Sequence, residues 1–319
     1  MVFRSIFIQN SLKRLKQIKM KNIKHALLTA LGILSFSGIF AQANILNAKI
    51  PEEIGVKTEE QLLSDNDEPL EYGYIDERDR LYSKMTWEKV VLDERVNFPL
   101  YYPVDTNNIG PDRRSLFHVL WNAVKSGDIP KVYGDSYFSQ ERTLEELEQS
   151  MQKIDTLDVG YDQFNADGYV DPEYITRRDI EAYDIKAFLL KGLWYFDKRQ
   201  GEMKYRLLAI GPAAPDVNFI DSEDEANNEP VPLFWVFYPE ARGILHEAKA
   251  YNNKNSAMPI SFDHILNSRR FNGHMYKEEN VYGDREVKDY IKNNALMQLM
   301  ESQRIKDKIR SFEQDMWNY

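Results

Sequence analysis

Histidine is the side chain in this sequence best suited to metal binding or acid–base chemistry, and only four histidines follow residue 43. They are His118, His246, His264 and His274, and no two of them stand three or four residues apart. A helical zinc site needs ligands at that spacing, and the chain has no cysteine to supply a thiolate. The sequence therefore predicts no zinc site.

Residues 165–171, NADGYVD, resemble part of a calcium-binding loop. With Gly168 at the glycine position of such a loop, Gln163 falls at its first position and Tyr174 at its last. Both of these positions require a carboxylate, so a solvated Asn/Asp/Gly turn explains the residues better. We expect no metal and no other cofactor.

The chain has 51 Asp and Glu residues. With so many carboxylates, pairs like those of a glycoside hydrolase are expected by chance, so they are no evidence for such an enzyme. No nucleophile motif or phosphate-binding motif accompanies them, and we therefore expect no enzyme. The alternative is a secreted glycan-binding or glycan-hydrolysing protein. An aromatic-lined groove would indicate the binding module, and an enclosed pair of facing carboxylates with one raised pKa would indicate the hydrolase.

Arginine pairs at positions 113/114, 177/178 and 269/270 are unusual in an acidic chain. They are explained either by balance of surface charge or by anchoring at a protein interface, where Arg beside aromatic residues is favoured. Another basic pair lies in a predicted hairpin loop. The candidate interface residues are Arg113, Arg114, Lys198, Arg199, Arg269 and Arg270.

A sheet at about 185–240 is the element that organises the rest of the chain. Residues 187–196 are apolar at both alternating sets of positions except at Lys191, which predicts a central strand covered on both faces. Residues 197–202 form the hairpin loop, and the second strand is half exposed at its start. Residues 233–238 form a further buried strand.

Upstream of the sheet, residues 85–155 are predicted to be rich in helix. We expect Thr86 to N-cap a short helix and residues 97–103 to be extended around their prolines. A second helix covers residues 115–125 and ends at Gly127.

A short strand is predicted over residues 132–138, and Thr143 opens a capping box and a third helix. Residues 156–180 are interpreted as a polar connector. The residues of the third helix that are expected to face inward are Leu144, Leu147 and Met151.

Downstream of the sheet, helices are predicted from Pro239, over residues 261–267 and over residues 285–316. The last of these is long, and its apolar stripe suits packing along a sheet or against another subunit. The stripe consists of Val287, Tyr290, Ile291, Ala295, Leu299, Ile305, Ile309 and Phe312.

The N-terminus reads as a secretory signal peptide over residues 1–43, with a basic region, an apolar run and small residues at its end. Met20 is an alternative start. Residues 44–84 read as an extended acidic arm, because residues 51–80 hold eleven acidic and three basic side chains with little apolar periodicity.

The charge of the chain excludes several classes of partner. Residues 1–43 carry seven Lys/Arg and no Asp/Glu, so removing them changes the net charge from −10 to −17. Nucleic acid and anionic lipid repel such a protein, so we expect no nucleic-acid binding and no direct membrane insertion. Lipid attachment at the mature N-terminus would need a cysteine, which the chain lacks.

Several long runs have a peculiar composition: DERVNFPLYYPVDTNNIGPDRRSL (93–116), WYFDKRQGEMKYRLL (194–208), LHEAKAYNNKNSAMPISFDHILNSRRF (245–271), YKEENVYGDRE (276–286) and FEQDMWNY at the end. Together with Thr86-Trp87 they resemble the GldN family of gliding-motility proteins, called PorN in non-gliding relatives, over essentially the whole mature chain. Residues 156–180 are more divergent, so nothing is transferred to them.

The resemblance implies a periplasmic component of the type IX secretion system of Bacteroidetes. It also implies a homo-oligomeric ring at the inner face of the outer membrane. The implied partners are an outer-membrane lipoprotein, GldK or PorK, and the periplasmic part of a motor protein, GldM or PorM. The family has no known catalytic residues to carry over.

We therefore predict an α+β protein with a mainly antiparallel sheet at about 185–240 flanked by helices. An extended acidic arm precedes the domain and a long helix ends it. Residues 85–319 form a single domain, helix-rich over 85–155 and with the sheet and its helices over 181–319. The predicted function is that of a structural ring protomer, with the arm and the long helix as points of attachment.

Overall fold

The computed structural model describes residue 59 and residues 67–107, 109, 113–219, 229–252 and 260–317. The predicted signal peptide and residues 44–58 and 60–66 of the predicted arm lie outside this described part. The residues from Asp67 onward belong to one compact unit, Asn66–Tyr319.

Twelve strands and eight helices are formed by the described residues. The strands are β1 (Arg80–Val91), β2 (Val132–Tyr133), β3 (Glu141–Arg142), β4 (Gln152–Thr156), β5 (Ile175–Asp179), β6 (Ala187–Asp197), β7 (Glu202–Ala214), β8 (Val231–Pro232), β9 (Trp235–Phe237), β10 (Lys249–Ala250), β11 (Ile260–Ser261) and β12 (His274–Glu278). The helices are α1 (Phe98–Tyr101), α2 (Leu116–Ser126), α3 (Leu144–Met151), α4 (Asp158–Asp167), α5 (Tyr238–Glu247), α6 (Phe262–Asn267), α7 (Val287–Tyr290) and α8 (Ala295–Trp317).

The main sheet is antiparallel throughout and has the strand order β12–β1–β6–β7–β9–β2–β3, with β8 paired to the end of β7. Strand β6 lies between β1 and β7 and is buried along almost its whole length. This confirms the α+β class and the central, doubly covered strand. The sheet also extends beyond the predicted range, because β1, β2, β3 and β12 come from other parts of the chain.

The prediction of a helix from Thr86 is wrong, because these residues lie in strand β1. Trp87, Val90 and Val91 fit one face of a helix, but in the strand Trp87 and Val90 point to opposite faces of the sheet. Both faces are covered, so Trp87 and Val90 are nevertheless both buried. The strand begins at Arg80, within the segment assigned to the arm.

One face of the sheet packs against helices and forms the larger core. Val90, Phe188, Leu190 and Ile210 of the strands are fully buried there against residues of α2, α3, α5 and α6. Helix α2 begins and ends as predicted, since the Ser115 side chain accepts the amide of its third residue and Gly127 adopts a left-handed conformation.

The opposite face holds a smaller cluster built around two tryptophans. Trp87 and Trp235 pack there with Leu189 and with the alanines of β6 and β7. Gly211 is required in β7 because a Cβ atom at this position would lie 3.1 Å from the Trp235 ring and 2.7 Å from a backbone oxygen.

Two local predictions in residues 97–138 are wrong. Residues 97–103 are not extended, because Phe98–Tyr101 forms helix α1 with its proline in the first turn, where proline is tolerated. The strand predicted over 132–138 ends at Tyr133. Beyond it the Asp135 carboxylate accepts the amides of Tyr137, Ser139 and Gln140 and bends the chain into a loop.

The capping box at Thr143 is confirmed. Leu147 and Met151 face inward as expected, whereas Leu144 is partly exposed. The segment interpreted as a polar connector is instead folded. It contains β5, helix α4 and the end of β4, and it closes on the amide of Ile180, which donates to the Met151 carbonyl at 2.9 Å.

The helices predicted from Pro239 and over 261–267 are confirmed as α5 and α6. The long C-terminal helix is confirmed too, but it starts at Ala295 and is preceded by the separate short helix α7. Asn293 between them has a φ of 56°, which interrupts a helix. Ile305 and Ile309 of the predicted stripe are buried, whereas Leu299 and Tyr290 are exposed.

Candidate interaction surfaces

The segment Asp67–Tyr74 has no regular secondary structure, yet side chains of the domain hold it at several points. The Tyr72 ring lies between two guanidinium groups, 4.1 Å from that of Arg242 and 4.8 Å from that of Arg206. Arg242 also donates to the Leu70 carbonyl at 2.6 Å, and Arg206 donates to the Gly73 carbonyl at 2.8 Å. Cation–π contacts and charge-assisted hydrogen bonds therefore fix the end of the acidic segment on the domain.

A buried polar cluster lies directly beneath this segment. The Asp263 carboxylate accepts from Arg242 at 3.0 and 3.2 Å, from the Tyr238 hydroxyl at 2.8 Å and from the Asn267 amide at 2.8 Å. The Tyr72 hydroxyl completes the cluster by donating to Asn267 at 2.8 Å. Burial raises the pKa of Tyr72 to about 12, so this hydroxyl remains a donor throughout the physiological range.

Asp67 makes the outermost attachment of the segment. Its carboxylate lies 2.8 Å from the His246 ring and 3.3 Å from the Lys249 ammonium group. Partial burial alone would raise the pKa of Asp67, but the His246 hydrogen bond and the Lys249 charge hold it below the ordinary value of 3.8. The carboxylate is therefore ionised at neutral pH, and it pairs with the Lys249 ammonium group of β10 and forms a hydrogen bond with the His246 ring of α5.

A second buried ion pair lies at the centre of the sheet. Glu88 of β1 is 2% exposed, and its two carboxylate oxygens lie 2.9 and 2.7 Å from the Arg269 Nη2 atom. The Arg269 guanidinium group also lies 4.4 Å from the Tyr205 ring and 5.1 Å from the Trp194 ring. Lys306 of α8 approaches the same carboxylate at 3.9 Å. One carboxylate thus connects the sheet, the turn after α6 and the C-terminal helix.

The predicted interface residues occupy different environments. Arg269 points into the domain, whereas Arg270, its neighbour, is exposed. Lys198 and Arg199 lie at the tip of the β6–β7 hairpin, where Arg199 pairs with Asp79 at 2.5 Å and remains 70% exposed. The tip is therefore a basic point on an acidic molecule.

Arg113 and Arg114 precede α2. The Arg113 guanidinium group stacks 4.1 Å from the Tyr251 ring, and Arg114 donates to the Arg113 carbonyl at 2.7 Å. The other arginine pair lies on β5, where Arg177 is exposed and Arg178 lies 3.6 Å from the buried Asp184. The structure does not bring the three arginine pairs together into one site.

The residues that resembled a calcium loop lie at the end of α4 and just beyond it. Gly168 adopts a left-handed conformation as the C-cap of this helix, with a φ of 78°. Gln163 and Asp171 bind each other through two hydrogen bonds of 2.7 and 3.0 Å. Among the described residues, no group of three or more His, Cys, Asp or Glu side chains lies close enough together to hold a metal ion.

A cleft of about 600 Å³ opens over the smaller core, between the sheet face and the segments around β8 and α7. Trp87 and Lys277 line this cleft, and the Lys277 ammonium group lies 4.5 Å from the Trp87 ring, which the Lys191 ammonium group also approaches at 5.2 Å. Lys191 donates to the Ser136 carbonyl at 2.8 Å, while the Ser136 hydroxyl accepts from the Trp87 indole at 3.0 Å. Burial lowers the pKa of Lys191, and the charge of Lys277 lowers it further.

Sequence reasoning missed the residues that hold the acidic segment, above all Tyr72, Arg242 and Asp263. Arg242 and Asp263 are separated by a segment that includes β10 and β11, so no local spacing links them. The available signal was the aromatic pair Tyr72 and Tyr74 in a stretch rich in acidic residues.

Residues 75–318 match the family model described as gliding motility associated protein GldN. The matched range begins directly after the segment Asp67–Tyr74 and extends into the C-terminal helix α8. Comparison with curated proteins gave no match. No helix among the described residues has the length and apolar character needed to cross a bilayer.

Proposed function

The chain belongs to the GldN family, and from this membership we propose that it is a structural protomer of a periplasmic ring in the gliding and type IX secretion machinery. Family membership makes it a component of that machinery, and the GldN family is not a known enzyme family. The ring, its place under the outer membrane and its individual partners are the proposed part.

The observation that carries the proposal is the extent of the family match. It covers residues 75–318, which include every strand of the main sheet and all of its flanking helices. The family function is therefore expected to reside in the folded domain as a whole. A short recognition motif would not require so long a match.

The architecture supports a load-bearing role. Strands β1, β6 and β7 have 12, 11 and 13 residues, and β6 is paired along its length on both sides. Continuous hydrogen-bonded ladders with both faces covered resist local opening, because opening exposes core residues and backbone groups together. Such a sheet suits a part that transmits force between neighbours.

The proposed partners are an outer-membrane lipoprotein of the GldK/PorK type and the periplasmic part of a motor protein of the GldM/PorM type. A lipoprotein would hold the protomer at the inner face of the outer membrane. The protomer itself has no cysteine that could carry the lipid. The motor would then act on the ring from the side of the inner membrane.

The test is co-purification of the tagged protein from detergent-solubilised envelopes, followed by electron microscopy. The expected result is a ring-shaped particle that contains the lipoprotein and many copies of this chain. A monodisperse monomer that brings down neither partner would contradict the proposal.

The acidic arm can be tested in the same assay with two deletions. Removing residues 44–65 leaves the segment Asp67–Tyr74 and strand β1 intact. Removing residues 44–76 also removes Tyr72 and its contacts. If the arm provides attachment, both deletions reduce the yield of the lipoprotein. Full yield with the longer deletion would refute a role of the arm.

A further inference from the structure

A strongly exposed apolar surface lies on the folded segment 152–179. Helix α4 and the residue before it present Leu157, Tyr161 and Phe164, which are 52, 58 and 55% exposed. Their spacing places them on one face of the helix, which we call the α4 stripe. The helix packs through Gly160 instead, since a Cβ atom there would lie 2.7 Å from the Thr156 side chain.

The surroundings of the α4 stripe are acidic. Residues 152–179 contain seven Asp or Glu residues and three Lys or Arg residues. Strands β4 and β5 of the same segment pair with each other, and neither joins a third strand within the described part of the chain. The segment thus presents an apolar surface with an acidic rim beside a two-stranded ribbon.

A second exposed apolar surface lies at the start of α8. Its residues form the first two turns of the helix and are exposed to a similar degree. They are Leu296, Met297, Leu299 and Met300, at 68, 52, 49 and 64%, and we call them the α8 patch. The opposite side of the helix, with Ile305 and Ile309, is buried against the domain.

The surroundings of the α8 patch are basic. Residues 285–310 contain seven Lys or Arg residues and four Asp or Glu residues, in a chain whose overall charge is −10. Lys292 before the patch is exposed, and Arg304 after it is 59% exposed and pairs with Glu301. The two apolar surfaces therefore carry rims of opposite charge.

From these observations we infer that the α4 stripe of one copy of the chain binds the α8 patch of the next copy. Two α4 stripes, or two α8 patches, would repel each other because their rims carry like charge. An α4 stripe and an α8 patch attract each other because their rims carry opposite charge. Two unlike surfaces on one chain make a head-to-tail contact, which can close into a ring. The inference rests on the proposed function for the ring, and it assigns residues to the contact between protomers.

The contact has the chemistry of helix-to-helix packing. Leu157, Tyr161 and Phe164 form a ridge, and the flexible methionines of the α8 patch adapt to its shape. Exposed apolar side chains on both partners lose water on contact, and the charged rims set the partner and the orientation. We therefore expect association to weaken when salt screens the rims.

The first experiment uses the purified mature chain in sedimentation velocity over a range of concentrations. Wild-type protein is expected to form larger species as concentration rises. The stripe variant Tyr161→Asp/Phe164→Asp and the patch variant Leu296→Asp/Met300→Asp are each expected to associate about 100-fold more weakly, because an unpaired charge is buried. The matched control Val96→Asp, 60% exposed outside both surfaces, should leave association unchanged.

Mixing the two variants separates head-to-tail binding from other arrangements. The stripe variant retains an intact patch and the patch variant retains an intact stripe, so the mixture is expected to form one-to-one dimers and nothing larger. A stripe that binds a second stripe would instead let the patch variant associate with itself, which would overturn the inference.

Cross-linking provides a measurement that does not depend on destabilising the contact. The chain has no cysteine, so Tyr161→Cys and Met300→Cys each introduce a single thiol. A short bifunctional maleimide is expected to join the two variants in a mixture and to join neither variant to itself. Cross-linking of Tyr161→Cys to itself, or no cross-linking in the mixture, would contradict the assignment.

Envelope co-purification distinguishes failure of this inference from failure of the proposed function. If wild-type protein forms no ring, the proposed function fails. If the wild type forms a ring and both surface variants form it equally well, only the assigned contact fails. Loss of an envelope partner with self-association unchanged would assign the surface to a different protein and would also overturn the inference.

Discussion

At the scale of single residues, the domain contains an ion pair between the buried Glu88 carboxylate and the partly buried Arg269 guanidinium group. The Arg269 Nη2 atom donates to both oxygens of the Glu88 carboxylate, and the Tyr205 and Trp194 rings cover the guanidinium group. A buried ion pair contributes little more to stability than apolar residues would, but removing Arg269 leaves the buried Glu88 carboxylate with only the more distant Lys306 ammonium group, 3.9 Å away.

We therefore predict that Arg269→Met lowers the free energy of unfolding by about 3 kcal/mol. The double variant Glu88→Leu/Arg269→Met is expected to recover much of this loss, because neither charge remains buried. Urea unfolding of both single variants and the double variant measures the coupling. If the losses of unfolding free energy in the two single variants add up to the loss in the double variant, Glu88 and Arg269 do not stabilise the domain through their interaction with each other.

The residues under the acidic segment give a second prediction. Arg242 contacts the Leu70 carbonyl and the Tyr72 ring, so Arg242→Met removes two attachments of the segment at once, together with the Arg242–Asp263 pair beneath it. We expect faster hydrogen exchange in residues 67–74, measured by mass spectrometry at a fixed pH. Glu247→Gln, an exposed change on the same helix, is the control and should leave this exchange unchanged.

At the scale of elements, strand β6 depends on a glycine at its irregular point. The register between β6 and β7 shifts after Lys191, and a Cβ atom at Gly192 would lie 2.2 Å from the Tyr205 ring. The missing side chain gives this ring the space from which it covers Arg269. The bulge in the strand and the buried ion pair are therefore parts of one arrangement.

We predict that Gly192→Ala lowers the free energy of unfolding by about 1–3 kcal/mol, because the Tyr205 ring must move. Gly243→Ala is the matched control. Gly243 lies on α5 with nothing within 4 Å of its added Cβ atom, so this change is expected to be neutral or stabilising by up to about 1 kcal/mol. Equal effects of the two substitutions in chemical unfolding would show that space around Gly192 is not limiting.

Helix α8 has a packed side and an exposed side, and substitutions should distinguish them. Ile305 is 1% exposed, and Ile305→Ala is expected to cost about 2–5 kcal/mol of unfolding free energy. Leu296→Ala on the exposed side of the same helix should change it by less than about 0.5 kcal/mol. Thermal and urea unfolding provide the measurement. A large loss at Leu296 would mean that the exposed side is part of the fold.

At the scale of the whole molecule, the basic hairpin tip stands out on a chain of net charge −10. We predict that Lys198→Glu/Arg199→Glu reduces the amount of envelope complex recovered, because acidic neighbours would no longer be attracted. Arg199 is 70% exposed, so its pair with Asp79 adds little stability and the fold should persist. The control is Lys125→Glu/Lys131→Glu, at side chains that are 49% and 52% exposed. If the amount of envelope complex recovered is unchanged, the hairpin tip has no role in assembly and is only a solvated turn.

Sequence patterns correctly predicted those structural features whose determining residues lie close together in the chain. The β6–β7 hairpin followed from apolar residues on both strand faces around a polar loop. The capping box at Thr143 and the end of α2 at Gly127 followed from one or two residues. The family resemblance, carried by long runs of residues, is confirmed. The signal peptide, the arm and the ring contacts stay predictions.

The tertiary structure alone decided the features that depend on distant partners. Residues 80–91 carry apolar side chains that suit either a helix or a strand, and only pairing with β6 and β12, both far away in sequence, selects the strand. For the same reason Arg269 turns inward to Glu88 while Arg270 stays exposed. Local periodicity reports on neighbours a few residues away, whereas the energies of strand pairing and buried charge come from residues that only the fold brings together.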